Sequence, residues 1–345
     1  MAWPADGAAA RDFHRSMAVY APTPLVDCAR LAQACGVKSV VAKDESARFG
    51  LNSFKILGAS WAMARIAEYT WPVPRFAAAT AGNHGRAVAW MARELRAGAT
   101  IFVPSDTMLR RVQNIHKEGA EVRIVQGNYD DAVRECAAES QNYGWQVISD
   151  TGYAGYMEIP KWIADGYGTL FAEYEEQRAS MALVPPDVVF VQAGVGSLLS
   201  AAVRHFRPGG DRPLLVAVEP EEACCLLESI RSPGGQPAKG TSGQNSIMAG
   251  LNCGEVSLAA WPAIRCGVDM FLTIPDQYAL EAVRRFLDSG IAAGESGAAG
   301  LGGLLALSTD PAFREAKSRL GLTANSRVML INSEAPLEVR KLGRP

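Results

Sequence analysis

The stretch from Asp187 to Phe206, DVVFVQAGVGSLLSAAVRHF, predicts a strand, a glycine turn and a helix in direct succession. It begins with an almost continuous apolar run, which is typical of a parallel strand buried on both faces. Gly194, Gly196 and Ser197 follow this run, and the apolar spacing then changes to that of a helix. Such a succession is part of a βαβ unit, and it predicts an α/β fold.

Short apolar runs and helical patterns alternate along the rest of the chain. The predicted strands are 39–42, 76–79, 100–103, 121–125, 146–148, 214–218 and 328–332. The predicted helices are 58–69, 86–95, 109–118, 130–143 and 157–178. Strands that alternate with helices form mostly parallel sheets flanked by helices. A chain of 345 residues is long enough for two domains of this kind.

Composition and charge argue against several classes of protein. The net charge is −2, and no block of Lys or Arg provides the basic surface typical of nucleic-acid binding. The apolar runs are too short, or too interrupted by charge or Gly, to cross a membrane. Residues 1–11 lack the basic and apolar regions of a secretion signal, so we expect a cytoplasmic protein. The seven Cys and four His lack zinc-ligand spacing, so we expect no metal site.

The glycine turn at residues 193–197 is a candidate anion site. Backbone N–H groups at a strand-to-helix turn, together with the Ser197 hydroxyl, can bind a phosphate or a carboxylate. The turn lacks the third glycine of a dinucleotide fingerprint and the Lys-Ser/Thr pair of a nucleotide P-loop. The structural alternative is a tight turn without a ligand, and this motif alone leaves both interpretations open.

Two further segments carry candidate chemistry. Lys55, in Ser53-Phe54-Lys55, follows a Gly-Leu-Asn turn and precedes an apolar helical pattern. A lysine buried there can lose its charge and attack a carbonyl, whereas most lysines are solvated surface residues. Residues 80–85, TAGNHG, lie between a strand-like run and a helix. Their hydroxyl, amide and N–H groups suit recognition of an oxyanion, or they only cap the helix.

In their order and spacing, these three segments resemble the fold-type II family of pyridoxal-5'-phosphate (PLP) enzymes. Ser53-Phe54-Lys55 is similar to the family's Schiff-base lysine motif, residues 82–84 to its substrate loop, and residues 194–197 to its phosphate loop. The resemblance narrows to the diaminopropionate ammonia-lyase branch over roughly residues 20–334. The segments that match this branch include 48–52, 82–86, 128–131, 159–162, 248–255 and 294–297.

This resemblance implies an α/β fold of two domains with PLP as the cofactor. The large, cofactor-binding domain would consist of residues 1–60 and 178–345. The small domain, which would carry the substrate loop, would consist of residues 61–177. A homodimer is expected by resemblance only, as is a small amino acid as the substrate.

The resemblance also implies roles for individual residues. Lys55 would form the Schiff base and take the Cα proton, Phe54 would pack against the cofactor ring, and Asn83 would hydrogen-bond the cofactor's phenolic oxygen. Asp150 matches an aspartate that addresses the β-amino group of the substrate. The remaining cofactor contacts would come from Gly194, Val195, Gly196 and Ser197 at the phosphate and Ser333 at the pyridine nitrogen. The substrate would be contacted by Thr80, Ala81, Gly82, His84 and Tyr153.

The chain departs from the ammonia-lyase pattern at three places. Ala81 stands where the pattern has Asp, Tyr153-Ala154 where it has Trp-Glu, and Ala335 where it has Gly. The first two departures fall in segments that are expected to line the pocket. We therefore expect intact cofactor chemistry, with the identity of the substrate as the open question.

The expected reaction is an α,β-elimination on 2,3-diaminopropionate or a close analogue, through an aminoacrylate. A neutral hydroxyl such as Ser333 supports a protonated pyridine only weakly, which favours prompt loss of the β-group. One alternative is a β-replacement synthase in a specialised biosynthetic pathway. Another is an inactive PLP-fold binding or regulatory protein, against which the intact Lys55, Asn83 and glycine loop argue.

Overall fold

A computed structural model of the chain describes residues 7–70, 72–208, 212–241 and 243–337. Residues 1–6, which belong to the segment without a predicted secretion signal, lie outside these ranges. The strands are β1 Leu25–Asp27, β2 Ser39–Asp44, β3 Phe76–Ala79, β4 Ala99–Pro104, β5 Glu121–Val125, β6 Gln146–Val147, β7 Val188–Gln192, β8 Leu214–Pro220, β9 Met270–Ile274 and β10 Arg327–Asn332.

Helices separate most of these strands. They are α1 Gly7–Ser16, α2 Ala29–Cys35, α3 Lys55–Tyr69, α4 Asn83–Glu94, α5 Leu109–Lys117, α6 Tyr129–Tyr143, α7 Glu158–Ser180, α8 Ser197–Phe206, α9 Cys225–Arg231, α10 Trp261–Gly267, α11 Asp276–Asp288, α12 Ala299–Thr309 and α13 Arg314–Leu320. Within the described ranges, every helix is too short or too polar to cross a membrane.

The chain divides into two compact units. The first unit contains residues 7–21, 54–172 and 257–260, and the second contains residues 22–53, 173–256 and 261–337 within the described ranges. Residues 7–21, 54–60 and 257–260, which the sequence prediction assigned to the larger domain, lie in the first unit, and residues 173–177, assigned to the small domain, lie in the second. The division into a cofactor domain and a substrate-loop domain stays a prediction.

The second unit is built on a six-stranded sheet in the order β1-β2-β10-β7-β8-β9. Only the pairing of β1 with β2 is antiparallel among the described strands of this sheet. Strand β7 is buried at every position, as its continuous apolar run predicts. Helix α12 packs on the sheet, and a Cβ at Gly303 would lie 2.9 Å from a methyl group of Val218. Glycine in α12 therefore lets the helix approach the sheet closely.

The first unit is built on a four-stranded sheet in the order β5-β4-β3-β6, and all of its pairs are parallel. Its core includes Ala77 and Phe102 from the strands and Ala132 and Cys136 from α6. Helix α6 begins with a capping box, in which Asn128 and Asp131 each accept a hydrogen bond from the other's backbone N–H.

The predicted α/β class with mostly parallel sheets is confirmed. Each strand predicted from an apolar run is present, in some cases with bounds one or two residues different. Strands β1 and β9 and helices α1, α2, α9, α10, α11, α12 and α13 were not predicted. Within the ranges that the structure describes, no group of three or more His, Cys, Asp and Glu residues is placed to hold a metal ion.

Candidate functional site

The carboxyl ends of neighbouring strands bring the predicted residues of the first unit together. Strands β3 and β6 are parallel neighbours, and the chain reaches β4 and β5 on the other side of β3. Thr80 follows β3 directly, and Asp150 lies just after β6. The point where the strand order reverses is where parallel α/β sheets usually bind their ligands. The sheet therefore places Thr80 and Asp150 at one candidate site.

Lys55 is the first residue of α3, and its amine pairs with Asp150. Its Nζ donates to Asp150 Oδ2 at 2.5 Å. The side chains are 24% and 18% exposed, respectively, so the pair is shielded but accessible to solvent. Residues 56–64, ILGASWAMA, are all buried, and their packing fixes the first turns of α3. The position predicted for Lys55, near a helix start, is confirmed.

The electrostatics of this pair hold Asp150 in its ionised form. Burial acts to raise the pKa of Asp150, but the charges of Lys55 and His84 outweigh burial and lower it to about 2. His84 is buried, and burial lowers its pKa. Its Nε2 donates to the Ile148 carbonyl at 3.0 Å, which anchors α4 to the segment that leads to Asp150.

The segment that carries Asp150 is held by groups that the sequence interpretation missed. The Tyr156 hydroxyl accepts a hydrogen bond from the Ser149 N–H at 3.0 Å and donates to the Val147 carbonyl at 2.9 Å. The Ser257 hydroxyl accepts from the Gly152 N–H at 2.7 Å. Ser257 lies 105 residues away from Gly152 in the sequence, so no local pattern could have revealed it.

The turn at residues 80–84 joins β3 to α4. The Thr80 hydroxyl accepts a hydrogen bond from the Gly82 N–H at 3.2 Å, and α4 begins at Asn83. Thr80, Ala81, Gly82 and Asn83 are all partly exposed. A Cβ at Gly85 would lie 2.7 Å from the Thr80 carbonyl oxygen, so glycine is required where the helix passes the turn. The methyl group of Ala81 adds no ionisable group to this turn.

Phe54 and Tyr153 have different surroundings. Phe54 is 7% exposed, and its ring lies 4.6 Å from the ring of Tyr167 on α7. The fully buried Tyr167 was not among the predicted residues, because an aromatic residue in a long helix usually belongs to the core. Tyr153 is 53% exposed and stacks on Tyr156 with the ring centroids 5.0 Å apart.

In the second unit, the glycine turn joins β7 to α8 as predicted. Gly196 caps α8 with φ 97° and ψ 0°, a left-handed conformation that favours glycine, and Ser197 begins the helix. A Cβ at Gly194 would lie 2.8 Å from Cys253 Sγ, so this position also requires glycine. The turn ends at the amino terminus of a helix, a position that favours the binding of a phosphate.

Ser333 lies at the same edge of the second sheet. It directly follows β10, which is the parallel neighbour of β7, and it is 4% exposed. The glycine turn and Ser333 are therefore both at the carboxyl ends of neighbouring strands. The structure places each predicted cofactor residue of this unit at that edge.

Comparison with known proteins identifies the family. The family model of pyridoxal-phosphate dependent enzymes matches residues 17–324. This chain is a pyridoxal-phosphate-dependent enzyme of fold type II. It is also 38% identical to the diaminopropionate ammonia-lyase of Salmonella typhimurium, over 93% of this chain and 87% of that protein. The Escherichia coli diaminopropionate ammonia-lyase is 36% identical, over 96% of this chain and 88% of that protein.

Solved structures agree with this assignment. The PLP enzyme superimposes with a TM-score of 0.89 on Escherichia coli diaminopropionate ammonia-lyase in complex with an aminoacrylate-PLP azomethine reaction intermediate, at 36% identity, covering 97% of this chain and 89% of that chain. Maize serine racemase has the same fold, with a TM-score of 0.81 at 22% identity, over 99% of this chain and 96% of that chain. The predicted fold class, family and cofactor are confirmed.

Proposed function

We propose that this PLP enzyme is an ammonia-lyase that removes the β-amino group from 2,3-diaminopropionate or a close β-substituted alanine. The observation that carries the proposal is the Lys55–Asp150 pair, with 2.5 Å between Nζ and Oδ2. An α,β-elimination needs a base at Cα and a group that binds the departing β-substituent. An amine and an ionised carboxylate at one site can supply these two functions. The relatives named above support PLP-dependent α,β-elimination.

The residues of each unit fit parts of the cofactor. The Lys55 amine would carry the aldehyde carbon, and the N–H groups and hydroxyl of residues 194–197 would hold the phosphate. Asn83 would hydrogen-bond the phenolic oxygen, Phe54 would pack on the ring, and Ser333 would face the pyridine nitrogen. When bound, PLP supplies an acceptor for the electron pair that remains when Cα loses its proton.

Lys55 would act as the base. As a neutral amine, Nζ takes the Cα proton and becomes an ammonium, which Asp150 can hold at the observed distance. A positioned base of this kind contributes about a hundred- to ten-thousandfold to the rate. Since Lys55 begins a well-packed helix, its backbone is fixed and only the side chain has to move.

Asp150 would bind the β-amino group. Its pKa of about 2 means that it stays a carboxylate at any pH near neutrality, so it attracts a β-ammonium instead of serving as an acid itself. An amine leaves most easily as ammonia from its protonated form. The C–N bond then breaks as the Cα proton is removed, and the released aminoacrylate reacts with water to give pyruvate and a second ammonia.

The remaining contacts concern the substrate. The Thr80 hydroxyl accepts from the Gly82 N–H and can still donate its own O–H, which would bind the substrate carboxylate beside Ala81 and Gly82. His84 and Tyr153 would border the same pocket. Ala81 would leave more room there than the Asp of the ammonia-lyase pattern. We further propose a cytoplasmic homodimer, on the basis of the family resemblance, and light scattering of the purified protein tests its mass.

Product analysis without an added nucleophile tests the proposed function. The enzyme is incubated with L-2,3-diaminopropionate alone, and pyruvate and ammonia are both measured. We expect about one pyruvate and two ammonia per substrate consumed, as the balance of the elimination requires. Substrate consumption only in the presence of a second amine or thiol, without pyruvate, would instead indicate β-replacement. Lys55→Ala is the control for uncatalysed decay.

A further inference from the structure

The hydroxyl of Tyr167 is a buried polar group without a hydrogen bond. Tyr167 lies on α7 and is 0% exposed, and its hydroxyl makes no hydrogen bond within the part of the chain that the structure describes. Native proteins pair most of their buried polar side-chain atoms, so an unpaired one calls for an explanation. A buried tyrosine that served only the core could be replaced by phenylalanine without loss.

Two glycines bring Tyr167 close to the start of α3. A Cβ at Gly58 would lie 2.6 Å from Cε1 of Tyr167, and a Cβ at Gly166 would lie 2.2 Å from the Leu57 carbonyl oxygen. Side chains at these positions would push α7 away from the first turn of α3. Because both are glycine, the Tyr167 ring packs within 4.6 Å of the ring of Phe54, next to Lys55 in the chain.

Among charged groups, the Lys55 ammonium acts most strongly on this hydroxyl. Burial raises the pKa of Tyr167, and the positive charge of Lys55 opposes this effect without reversing it. The hydroxyl therefore stays protonated and cannot itself act as a base near neutrality. Its oxygen can still accept a hydrogen bond. A lysine ammonium has three N–H donors, and Asp150 accepts from one of them at 2.5 Å.

We propose that Tyr167 is a positioning residue for Lys55, with a hydroxyl oxygen that accepts an N–H from the Lys55 amine during turnover. This inference rests on the proposed function, in which Lys55 takes the Cα proton while Asp150 binds the β-amino group. Asp150 is then engaged with the substrate and holds Lys55 less tightly. Tyr167 takes over as the acceptor for one N–H, and the nitrogen lone pair remains available for the Cα proton.

A hydrogen bond to Tyr167 would change the proton affinity of the Lys55 amine. When Lys55 becomes an ammonium, the hydrogen bond to Tyr167 becomes a charge-assisted one and grows stronger. The Tyr167 hydroxyl thus favours the protonated form of Lys55 and makes the neutral amine a stronger base. Removing the hydroxyl should make Lys55 easier to deprotonate and, at the same time, a poorer base.

The test compares Tyr167→Phe with Tyr174→Phe. Tyr174 lies two turns farther along α7, is 1% exposed and packs on Phe206 with 6.3 Å between the ring centroids. Both variants remove one buried hydroxyl from the same helix, but only Tyr167 lies beside Lys55. The cofactor-free full-length protein is labelled with an amine-reactive reagent at a series of pH values, and mass spectrometry follows the peptide that contains Lys55.

In Tyr167→Phe, the pH of half-maximal labelling of Lys55 should fall by about one unit, since one hydrogen bond to a charged group is lost. Tyr174→Phe should label like the unmodified protein. No change in Tyr167→Phe, or an equal change in both variants, would overturn the proposal. Because labelling requires no turnover, this result does not depend on the substrate being 2,3-diaminopropionate.

Kinetics of the holoenzyme provide a second measurement. Tyr167→Phe should lower kcat about tenfold while KM changes less than about threefold, and the acidic limb of kcat against pH should move to lower pH. A purely structural role would leave the acidic limb where it is, which would count against the proposal.

A reciprocal measurement covers the case in which Tyr167→Phe does not fold. Protein labelled with 13C at tyrosine Cζ is compared with the same protein carrying Lys55→Ala, and the Tyr167 signal is assigned through its ring contact with Phe54. The Tyr167 signal should shift while the Tyr174 signal does not. An unchanged Tyr167 signal would contradict the proposal.

Discussion

Two lysines of this chain, Lys43 and Lys55, each bind a carboxylate at short distance, yet their surroundings differ. Lys43 Nζ lies 2.8 Å from Glu173 Oε2, and both side chains are 0% exposed. Lys55 Nζ lies 2.5 Å from Asp150 Oδ2, and these side chains are 24% and 18% exposed. One ion pair is closed to solvent and the other is not.

All three N–H donors of the Lys43 ammonium are bound to acceptors. Its Nζ donates to the Thr23 carbonyl at 2.6 Å, to Glu173 at 2.8 Å and to Gln177 at 2.9 Å. Arg48 adds a second cation, which pairs with Glu173 and also with Glu45 at 2.7 Å. Two cations and two carboxylates thus balance inside the second unit. Arg48 also anchors the loop that leads to residue 53.

The difference shows which lysine can do chemistry. A nucleophilic or basic amine must be reached by another molecule and must be able to exchange its partner. Lys43 meets neither requirement, since its three donors are bound and no solvent reaches it. Lys55 is accessible and begins a helix at the carboxyl edge of a sheet. A short lysine–carboxylate distance alone therefore does not identify a catalytic lysine.

The largest effect is expected on the choice of substrate enantiomer. It tests whether Lys55 is the only base at Cα. In the resembled lyase pattern, Asp stands at the position of Ala81 and would serve the second face of Cα. The methyl group of Ala81 cannot accept a proton, so turnover of D-2,3-diaminopropionate should be about a hundred- to ten-thousandfold below that of the L-enantiomer.

Measuring kcat/KM for both enantiomers checks this prediction. Ala81→Asp should restore activity on the D-enantiomer and leave L-turnover largely intact. Similar values for the two enantiomers in the unmodified protein would show that another group, such as Asp150 or water, replaces the missing base.

The next largest effect is expected from a substitution that breaks the buried Lys43–Glu173 pair. Glu173→Gln leaves Lys43 and Arg48 buried with one carboxylate fewer, which should lower the free energy of unfolding by about 3–5 kcal/mol. The activity per folded molecule should stay within about twofold. Urea unfolding measures the loss, and Glu315→Gln, whose partner Arg319 is 75% exposed, is the matched control with an expected loss below about 1 kcal/mol. Equal losses in the two variants would contradict the structural role.

Breaking the solvent-accessible Lys55–Asp150 pair should lower activity strongly and stability only a little, the reverse of what is expected for Glu173→Gln. Asp150→Asn removes the carboxylate that would bind the β-ammonium, so kcat for amine elimination should fall by about a hundredfold or more. Stability near neutral pH should change less than in Glu173→Gln. If the folded variant turned over at the original rate, Asp150 would be a turn-stabilising residue and not part of the chemistry.

The smallest expected effect is on acid stability. Because the pKa of Asp150 is lowered to about 2 in the folded state, its ionised form stabilises the protein above the unfolded pKa of about 3.8. This contribution, about 2 kcal/mol, should disappear as the pH falls from about 4 through 2. Urea unfolding at pH 4 and pH 2.5 should therefore show a smaller loss for Asp150→Asn than for the unmodified protein. Equal losses would contradict the lowered pKa.

Much of the fold was predictable because buried parallel strands leave continuous apolar runs. Strand β7 is an example, with apolar residues that are all buried. Strand β1 has three residues and is defined by its pairing with β2, which a local pattern cannot show. Helix α12 contains three glycines, which disfavour a helix in isolation, but burial of residues 299–307 overrides that preference.

The candidate site was predictable to the extent that its residues occur in short motifs. Lys55 and the turn at Gly194–Ser197 stand at helix starts, where sequence patterns are informative. Their partners come from distant parts of the chain. Glu173 pairs with a lysine 130 residues away, and Tyr167 reaches the start of α3 only because two glycines permit it. The spacing of residues in the sequence does not predict such contacts.

Chemical reduction of the holoenzyme shows directly which lysine carries the cofactor. The holoenzyme is reduced with borohydride, which fixes the cofactor on its lysine, and the protein is then digested and mapped by mass spectrometry. We expect the cofactor on Lys55, with Lys43 unmodified. A cofactor label on Lys43, or on any lysine other than Lys55, would contradict it.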